Sequence, residues 1–365
     1  MDKSDAEIAD RGLSYFGRHE NMKEQYLITE GEYVKRAIYE GRYIWFMYGT
    51  MLYRFDVNQN EWKKMAILPE AYGLGLKIDF NLIFNGKHIF VYSSLKNRCL
   101  ILDENGHMEN EICLNSENIT FENRSYYLER FKDDVLCIPV FEGDIIWMRS
   151  NGKVEYFSEW RKQLDDILKS KKTKLKKVRF YESVIKNEEL IINVGCEDAD
   201  RFCVIDTQKW DVKKVIETPF FGINHGTVFD GKYIWFQNSS DNGNRLIKMK
   251  LDNIDDYNVW ELPDIFENKI FFSSRNGAVY ISDRAGTYAA IINGRIEMLN
   301  KVRKTMLDIR CCEKTGKILF YSNGEFQLFD VESAETIKIP IPMTTDLEVF
   351  LNQILTYNSK DRRRR

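Results

Sequence analysis

Histidine and proline are scarce in this chain, and long apolar runs are missing. Four histidines, His19, His88, His107 and His225, stand among 365 residues, and no two have the spacing of metal ligands. Neither a mononuclear metal centre nor another cofactor is expected. Six prolines and 21 glycines are too few for a collagen-like or low-complexity chain. No apolar stretch approaches the ~20 residues that a membrane helix requires. The opening MDKSDAEIADRG carries neither the apolar core nor the cleavage site of a secretory signal. Walker loops, nucleophile elbows and zinc-protease motifs are all absent.

Charge of neither sign dominates. Lys plus Arg number 53 against 56 for Asp plus Glu, a formal net charge of −3, so nothing pulls the whole molecule toward nucleic acid or an anionic membrane. Cysteine is odd in number, at seven, without a C-x-x-C pair, and the adjacent Cys311 and Cys312 are poorly placed to bond to each other. Cys99, Cys137 and Cys203 fall inside strand patterns, where a buried thiol acts as a small hydrophobe. A reduced, cytoplasmic chain is expected, large enough to be held by its core without staples.

What is present is a repeat rich in aromatics. Tyr33–Pro69 reads as an apolar strand, a Gly turn, the aromatic run Tyr43-Ile44-Trp45-Phe46, a strand ending at Asp56, and a last strand closing on Leu68-Pro69. Gly226–Pro263 repeats the plan with Tyr233-Ile234-Trp235-Phe236, Asp252 and Leu262-Pro263. Second-strand markers recur at Tyr43, His88, Val135, Leu190, Tyr233, Ala278 and Ile318, at intervals of 40 to 55 residues. That period is the signature of propeller blades, since one four-stranded sheet cannot bury both faces alone. The expected fold class is all-β, a single seven-bladed β-propeller of four-stranded antiparallel blades. The third strands end in Asp56, Asp103, Ser150, Asp206, Asp252, Asn293 and Asp330, residues whose side chains fold onto nearby amides and start turns.

In blade 1, Leu52-Tyr53-Arg54-Phe55-Asp56 followed by Trp62 and Leu68-Pro69 resembles a kelch repeat, and blade 5 keeps Asp252, Trp260, Leu262 and Pro263. The resemblance is close in these two blades and one of pattern in the other five. Paired glycines of kelch second strands are replaced by single ones, Gly41, Gly86 and Gly231. The copper site of galactose-oxidase type kelch enzymes cannot be assembled from these residues.

Residues 1–25 form an N-terminal extension, 26–342 the propeller and 343–365 a C-terminal extension. Tyr26-Leu27-Ile28-Thr29 is a candidate sealing strand beside Ile337-Lys338-Ile339. An insertion at about 159–177 places Trp160, Leu164, Ile167 and Leu168 at helical spacing, then turns basic in SKKTKLKKVR. It reads as a helix lying on the rim, because no aromatic platform stands between those lysines to stack bases. Thr345 to Glu348 make a capping box ahead of Leu347, Phe350, Leu351, Ile354 and Leu355, one apolar helix face that could meet a partner.

Loops joining fourth to first and second to third strands should ring one mouth of the channel. They carry the candidate ligand-binding residues Phe220, Phe221, Asn224, His225, Arg98, Asp198, Arg245 and Arg284. Glu197 to Asp200 and Asp241 to Asn244 resemble pieces of calcium loops but lack the closing Glu. Exposed aromatics among mixed polar groups suit a recognition patch. The expected function is a non-catalytic binding or scaffold module for a peptide, protein or glycan. The alternative is a propeller enzyme (hydrolase, lyase or cyclase) acting on a sugar or peptide, with His225 and a mouth carboxylate as acid and base.

Overall fold

The computed structural model describes residues 37–48, 51–68, 80–93, 97–114, 126–140, 143–171, 178–186, 188–196, 200–220, 223–230, 232–240, 243–264, 266, 270–275, 278–283, 287–292, 294–301, 305–308, 315–322, 325–330, 332–333 and 335–339. These residues form seven sheets, each of four strands consecutive in sequence and paired antiparallel. Blade 1 holds β1 (Ala37–Glu40), β2 (Tyr43–Tyr48), β3 (Met51–Asp56) and β4 (Glu61–Ile67). Blade 2 holds β5 (Phe80–Phe84), β6 (Ile89–Ser93), β7 (Arg98–Leu102) and β8 (Met108–Cys113). Blade 3 holds β9 (Tyr126–Phe131), β10 (Asp134–Pro139), β11 (Ile145–Met148) and β12 (Val154–Phe157). Blade 4 is β13 (Arg179–Lys186), β14 (Glu189–Gly195), β15 (Asp200–Asp206) and β16 (Asp211–Glu217). Blade 5 is β17 (Ile223–Phe229), β18 (Tyr233–Ser240), β19 (Gly243–Lys250) and β20 (Asn253–Glu261). Blade 6 is β21 (Ile270–Arg275), β22 (Ala278–Asp283), β23 (Thr287–Ile292) and β24 (Arg295–Lys301). Blade 7 is β25 (Thr305–Asp308), β26 (Lys317–Ser322), β27 (Glu325–Asp330) and β28 (Thr336–Ile339). Each second strand begins within one residue of its marker in the sequence.

A period of two drives the assembly. Successive side chains of a strand point to opposite faces, so β2 sends Ile44 and Phe46 toward blade 7 and Trp45 and Met47 toward blade 2. On the first side they meet Leu319, Phe326, Leu328 and Ile339. On the other they meet Leu82, Ile89, Val91 and Leu100. Phe46 and Phe326 pack edge to face at 5.1 Å, so blade 1 closes the ring directly on blade 7. The candidate sealing strand, the N-terminal extension and the C-terminal helix lie outside the described residues.

Turn chemistry follows the third-strand acids. One carboxylate oxygen of Asp56 accepts the amides of Asn58 and Gln59 at 2.9 and 3.2 Å, and Asp206 treats Gln208 and Lys209 alike at 2.8 and 3.1 Å. Asp330 repeats the geometry with Glu332 and Ser333. These amide bonds hold the Asp206 carboxyl below the usual range, as expected when the charged form is the acceptor. The next blade's turn then rests on the previous blade's outer strand. Gly106 lies against the Met65 backbone, and Asn110 on β8 donates to the Ser150 carbonyl at 3.0 Å.

The insertion forms helix α1 (Glu159–Ser170), burying Trp160, Leu164 and Leu168. Gln163 lies along the outer edge of β16, accepting the Val212 amide at 2.6 Å and donating to Asp211 at 3.0 Å. Trp160 packs on Phe180 at 5.1 Å. The helix thus covers an edge strand that would otherwise offer unpaired backbone groups. Its basic continuation, 172–177, lies outside the described residues.

Candidate functional site

First strands of adjacent blades face one another around the channel, as β13 does with β9 and β17. First and third strands therefore start, and second and fourth strands end, at one mouth. At that mouth the two clearest repeats part company. Blades 1 and 5 share Tyr-Ile-Trp-Phe at the far end, Phe46 standing opposite Tyr53 and Phe236 opposite Ile247. One step nearer the mouth, Met47 opposite Leu52 corresponds to Gln237 opposite Leu246. The next step matches Tyr48 and Met51 with Asn238 and Arg245. Blade 1 stops there, whereas blade 5 adds the pairs Ser239–Asn244 and Ser240–Gly243.

Gln237 is as buried as the methionine it replaces, at 0% against 2% exposure. A buried amide must find hydrogen bonds or cost stability, and Gln237 donates to Asn244 Oδ1 at 2.6 Å. Gln237 shares its face of β18 with Trp235, toward blade 6, whereas Asn238 follows Ile234 and Phe236 toward blade 4. Asn193 follows Ile191 on the face turned to blade 5, and Asp200 and Asn193 are buried there as Asn238 is on the facing side. Polar burial at the mouth end of blades 4 and 5 thus replaces the apolar packing of Phe202, Phe236, Ile247 and Met249 below it.

Three arginines lie within the first three residues of third strands, and each reaches a glutamate on the fourth strand. Arg98 meets Glu111 at 3.1 Å, Arg201 meets Glu217 at 3.0 Å and Arg245 meets Glu261 at 3.0 Å. Arg201 is 2% exposed beneath a Glu217 that is 51% exposed. In blade 3, Asp144 and Tyr126 lie at the same mouth. Burial pushes the Asp144 carboxyl up from its ordinary range. Burial, then the neighbouring Cys137 and Asp144, push the Tyr126 phenol up as well.

The candidate residues are distributed as follows. Arg98 and Arg245 occupy mouth ends of third strands and are ion-paired. Phe220 is half-buried between blades 4 and 5, with ring centroids 6.1 Å from Phe236 and 5.1 Å from Tyr257, and its carbonyl accepts the Thr218 hydroxyl at 3.0 Å. The backbone sets Asn224 opposite Asn238 and His225 opposite Gln237, with the ladder broken between His225 and Thr227. Phe221, Asp198 and Arg284 lie outside the described residues. Among the described residues, no cluster of His, Cys, Asp or Glu could hold a metal ion, and no helix is long and apolar enough to cross a membrane. Sequence reading passed over Arg201, Asn193, Gln237 and Asn238, which sit in β-forming runs and look like strand filler. Setting blade 5 beside blade 1 residue by residue is the signal that finds the last two.

No protein-family model and no curated protein matches the chain. Among solved structures, it is similar to a chain of the mitotic checkpoint complex at a TM-score of 0.57 and 8% identity, covering 86% of this chain and 92% of that one. Hydrazine synthase from Kuenenia stuttgartiensis superposes at 0.52 and 9% identity, covering 90% and 100%. A streptogramin B lyase superposes at 0.50 and 13% identity, covering 82% and 92%. At such identities the likeness is one of fold, and the fold is a seven-bladed β-propeller.

Proposed function

We propose that this chain is a non-catalytic cytoplasmic binding module that takes a peptide, protein or glycan at the mouth beside blades 4 and 5. The observation that carries this reading is the divergence between two copies of one repeat. Their shared halves supply the apolar packing any blade needs. The half that differs puts Gln237 and Asn238 at the register positions of Met47 and Tyr48 in blade 1 and lengthens the hairpin toward the mouth. Residues that break a local folding rule concentrate at functional sites. Propellers in the similar structures belong to an assembly and to enzymes, so fold does not choose between the two. The kelch resemblance of blades 1 and 5 is compatible with either.

Phe221→Ala combined with His225→Ala provides the test, read by capture of lysate-derived protein and glycan fractions and by melting temperature. Capture should vanish while the melting temperature stays nearly constant. A loss of a few kcal/mol with capture intact would instead mean that the pair plugs the channel. Turnover lost while binding persists would favour the enzyme reading, for which Asp144 is a mouth carboxyl already shifted toward its protonated form.

A further inference from the structure

We propose that the mouth end of the joint between blades 2 and 3 takes a primary ammonium, the side-chain terminus of a lysine on a peptide. This site lies on a different arc of the mouth from blade 5 and does not depend on the recognition reading above. Register places it. Cys99 on β7 and Cys137 on β10 are buried in one cluster, with Tyr92 opposite Cys99 and Ile146 opposite Cys137. Side chains two residues apart share a face. One step nearer the mouth, Asn97 therefore lies on the face of Cys99, Pro139 on that of Cys137, and Asp144, just ahead of β11, on that of Ile146. Tyr126 stands opposite Pro139. It ties the two blades together, its ring edge-on to Tyr92 at 6.3 Å. A Cβ on Gly143, the neighbour of Asp144, would stand 3.4 Å from the Tyr126 hydroxyl.

Asn97, Asp144 and Tyr126 each leave an oxygen unused. Asn97 is 6% exposed, and its Oδ1 is buried without a hydrogen-bond partner. A φ of +49° suits Asn at this turn, but the turn does not call for a buried amide oxygen whose missing bond costs stability. Among the described residues, the partly buried Asp144 carboxylate has no ion pair or hydrogen bond, and burial pushes it up from its ordinary range. Arg98, next to Asn97 in sequence, takes the opposite face of β7 with Leu100 and holds Glu111 at 3.1 Å. The hydroxyl of the buried Tyr126 likewise has no hydrogen-bond partner among the described residues.

An ammonium brings three N–H donors and one positive charge, which match an amide oxygen, a phenol oxygen and a carboxylate. It supplies the counter-charge that burial otherwise denies Asp144. Leu114, buried and bonded through its amide to the Asn97 carbonyl at 2.8 Å, joins the Tyr126 ring as an apolar wall for the lysine methylenes. A calcium ion asks for roughly six to eight oxygens, more than these three side chains supply.

NMR titration of the full chain tests this, with butylamine, acetyl-Gly-Ser-Lys-Ser-Gly-amide, its acetyllysine and arginine counterparts, and calcium chloride. Butylamine and the lysine peptide should bind, and the acetyllysine peptide should not. Asp144→Asn should weaken the lysine peptide by about tenfold or more. Asn97→Gly, which keeps the left-handed turn, should weaken it as well. The melting temperature of Asp144→Asn should equal or exceed that of the parent, because an unpaired, partly buried carboxylate is removed. A lowered melting temperature would make that carboxylate structural and overturn the proposal. So would failure of the lysine peptide to bind, or binding indifferent to both variants. An acetyllysine or arginine peptide bound as tightly, or calcium bound in preference to both amines, would overturn it too. Butylamine bound without the peptide would overturn the lysine assignment in favour of a free amine.

Discussion

Replacing Trp45 by alanine should cost about 3–5 kcal/mol of stability, the range for a fully buried tryptophan. Its ring has no exposed surface and packs between blades 1 and 2, 6.0 Å from Phe84 and edge-on to Tyr43 at 6.1 Å. Arg54, directly across the strand pair, lies 5.4 Å over the same ring. Its removal loses burial, dispersion contacts and a cation–π partner together. Trp235 repeats the position in blade 5, stacking on Trp260 at 5.6 Å and donating Nε1 to Asp230 at 2.9 Å. Denaturant unfolding of either alanine variant checks the figure. A transition that moves by less than about 1 kcal/mol would place the ring at the surface and shift the register by one residue.

Gly106→Ala is the second large effect, and its cause is backbone rather than burial. Gly106 has φ of +83°, and a Cβ there would stand 2.7 Å from the Met65 carbonyl oxygen and 2.8 Å from its carbon. Neither is the end of a flexible side chain, so the blade 2 turn must lift off blade 1. Gly294 is the control, with φ of +73° and nothing within 4 Å of such a Cβ. Its alanine variant should lose only the left-handed penalty of about 1–2 kcal/mol. Gly106→Ala should exceed that by about 1–2 kcal/mol, bringing the total to about 3. Equal losses in the two variants would show that the blades do not rest on each other through this turn.

These effects divide what sequence could reveal from what it could not. Blade number was legible because strand period, turn acid and Gly turn all repeat, and each has a local cause. Asp56, Asp206 and Asp330 start their turns by the same pair of amide bonds wherever they fall in the ring. Helix α1 was legible for the same reason, with Trp160, Leu164 and Leu168 already at helical spacing. The docking of Gln163 on β16 was not, because it depends on a strand about fifty residues away that only tertiary packing brings close.

The site was harder for a related reason. Phe220 and Phe221 attracted attention as consecutive aromatics in a loop, yet Phe220 fills the joint between blades 4 and 5. Arg98 and Arg245 read as free cations in a one-dimensional string. Their glutamates, 13 and 16 residues on, come alongside only when the fourth strand returns. Gln237 and Asn238 carry no warning within their own strand, since buried amides in a β-run are invisible to a pattern of apolar and polar alternation. They become conspicuous when the register sets them against Met47 and Tyr48.

That register supplies the most direct measurement of the central claim, that the mouth half of blade 5 is kept for recognition and not for folding. Gln237→Met gives blade 5 the residue of blade 1 at this position, and Asn244, partly exposed, can turn its amide to water. Melting temperature and ligand capture are measured on the same preparation. The account predicts a melting temperature equal to or above that of the parent, because a buried amide is exchanged for the apolar side chain that blade 1 buries there, together with loss of capture. A melting temperature lowered by several degrees with capture retained would make the polar half structural and contradict the claim.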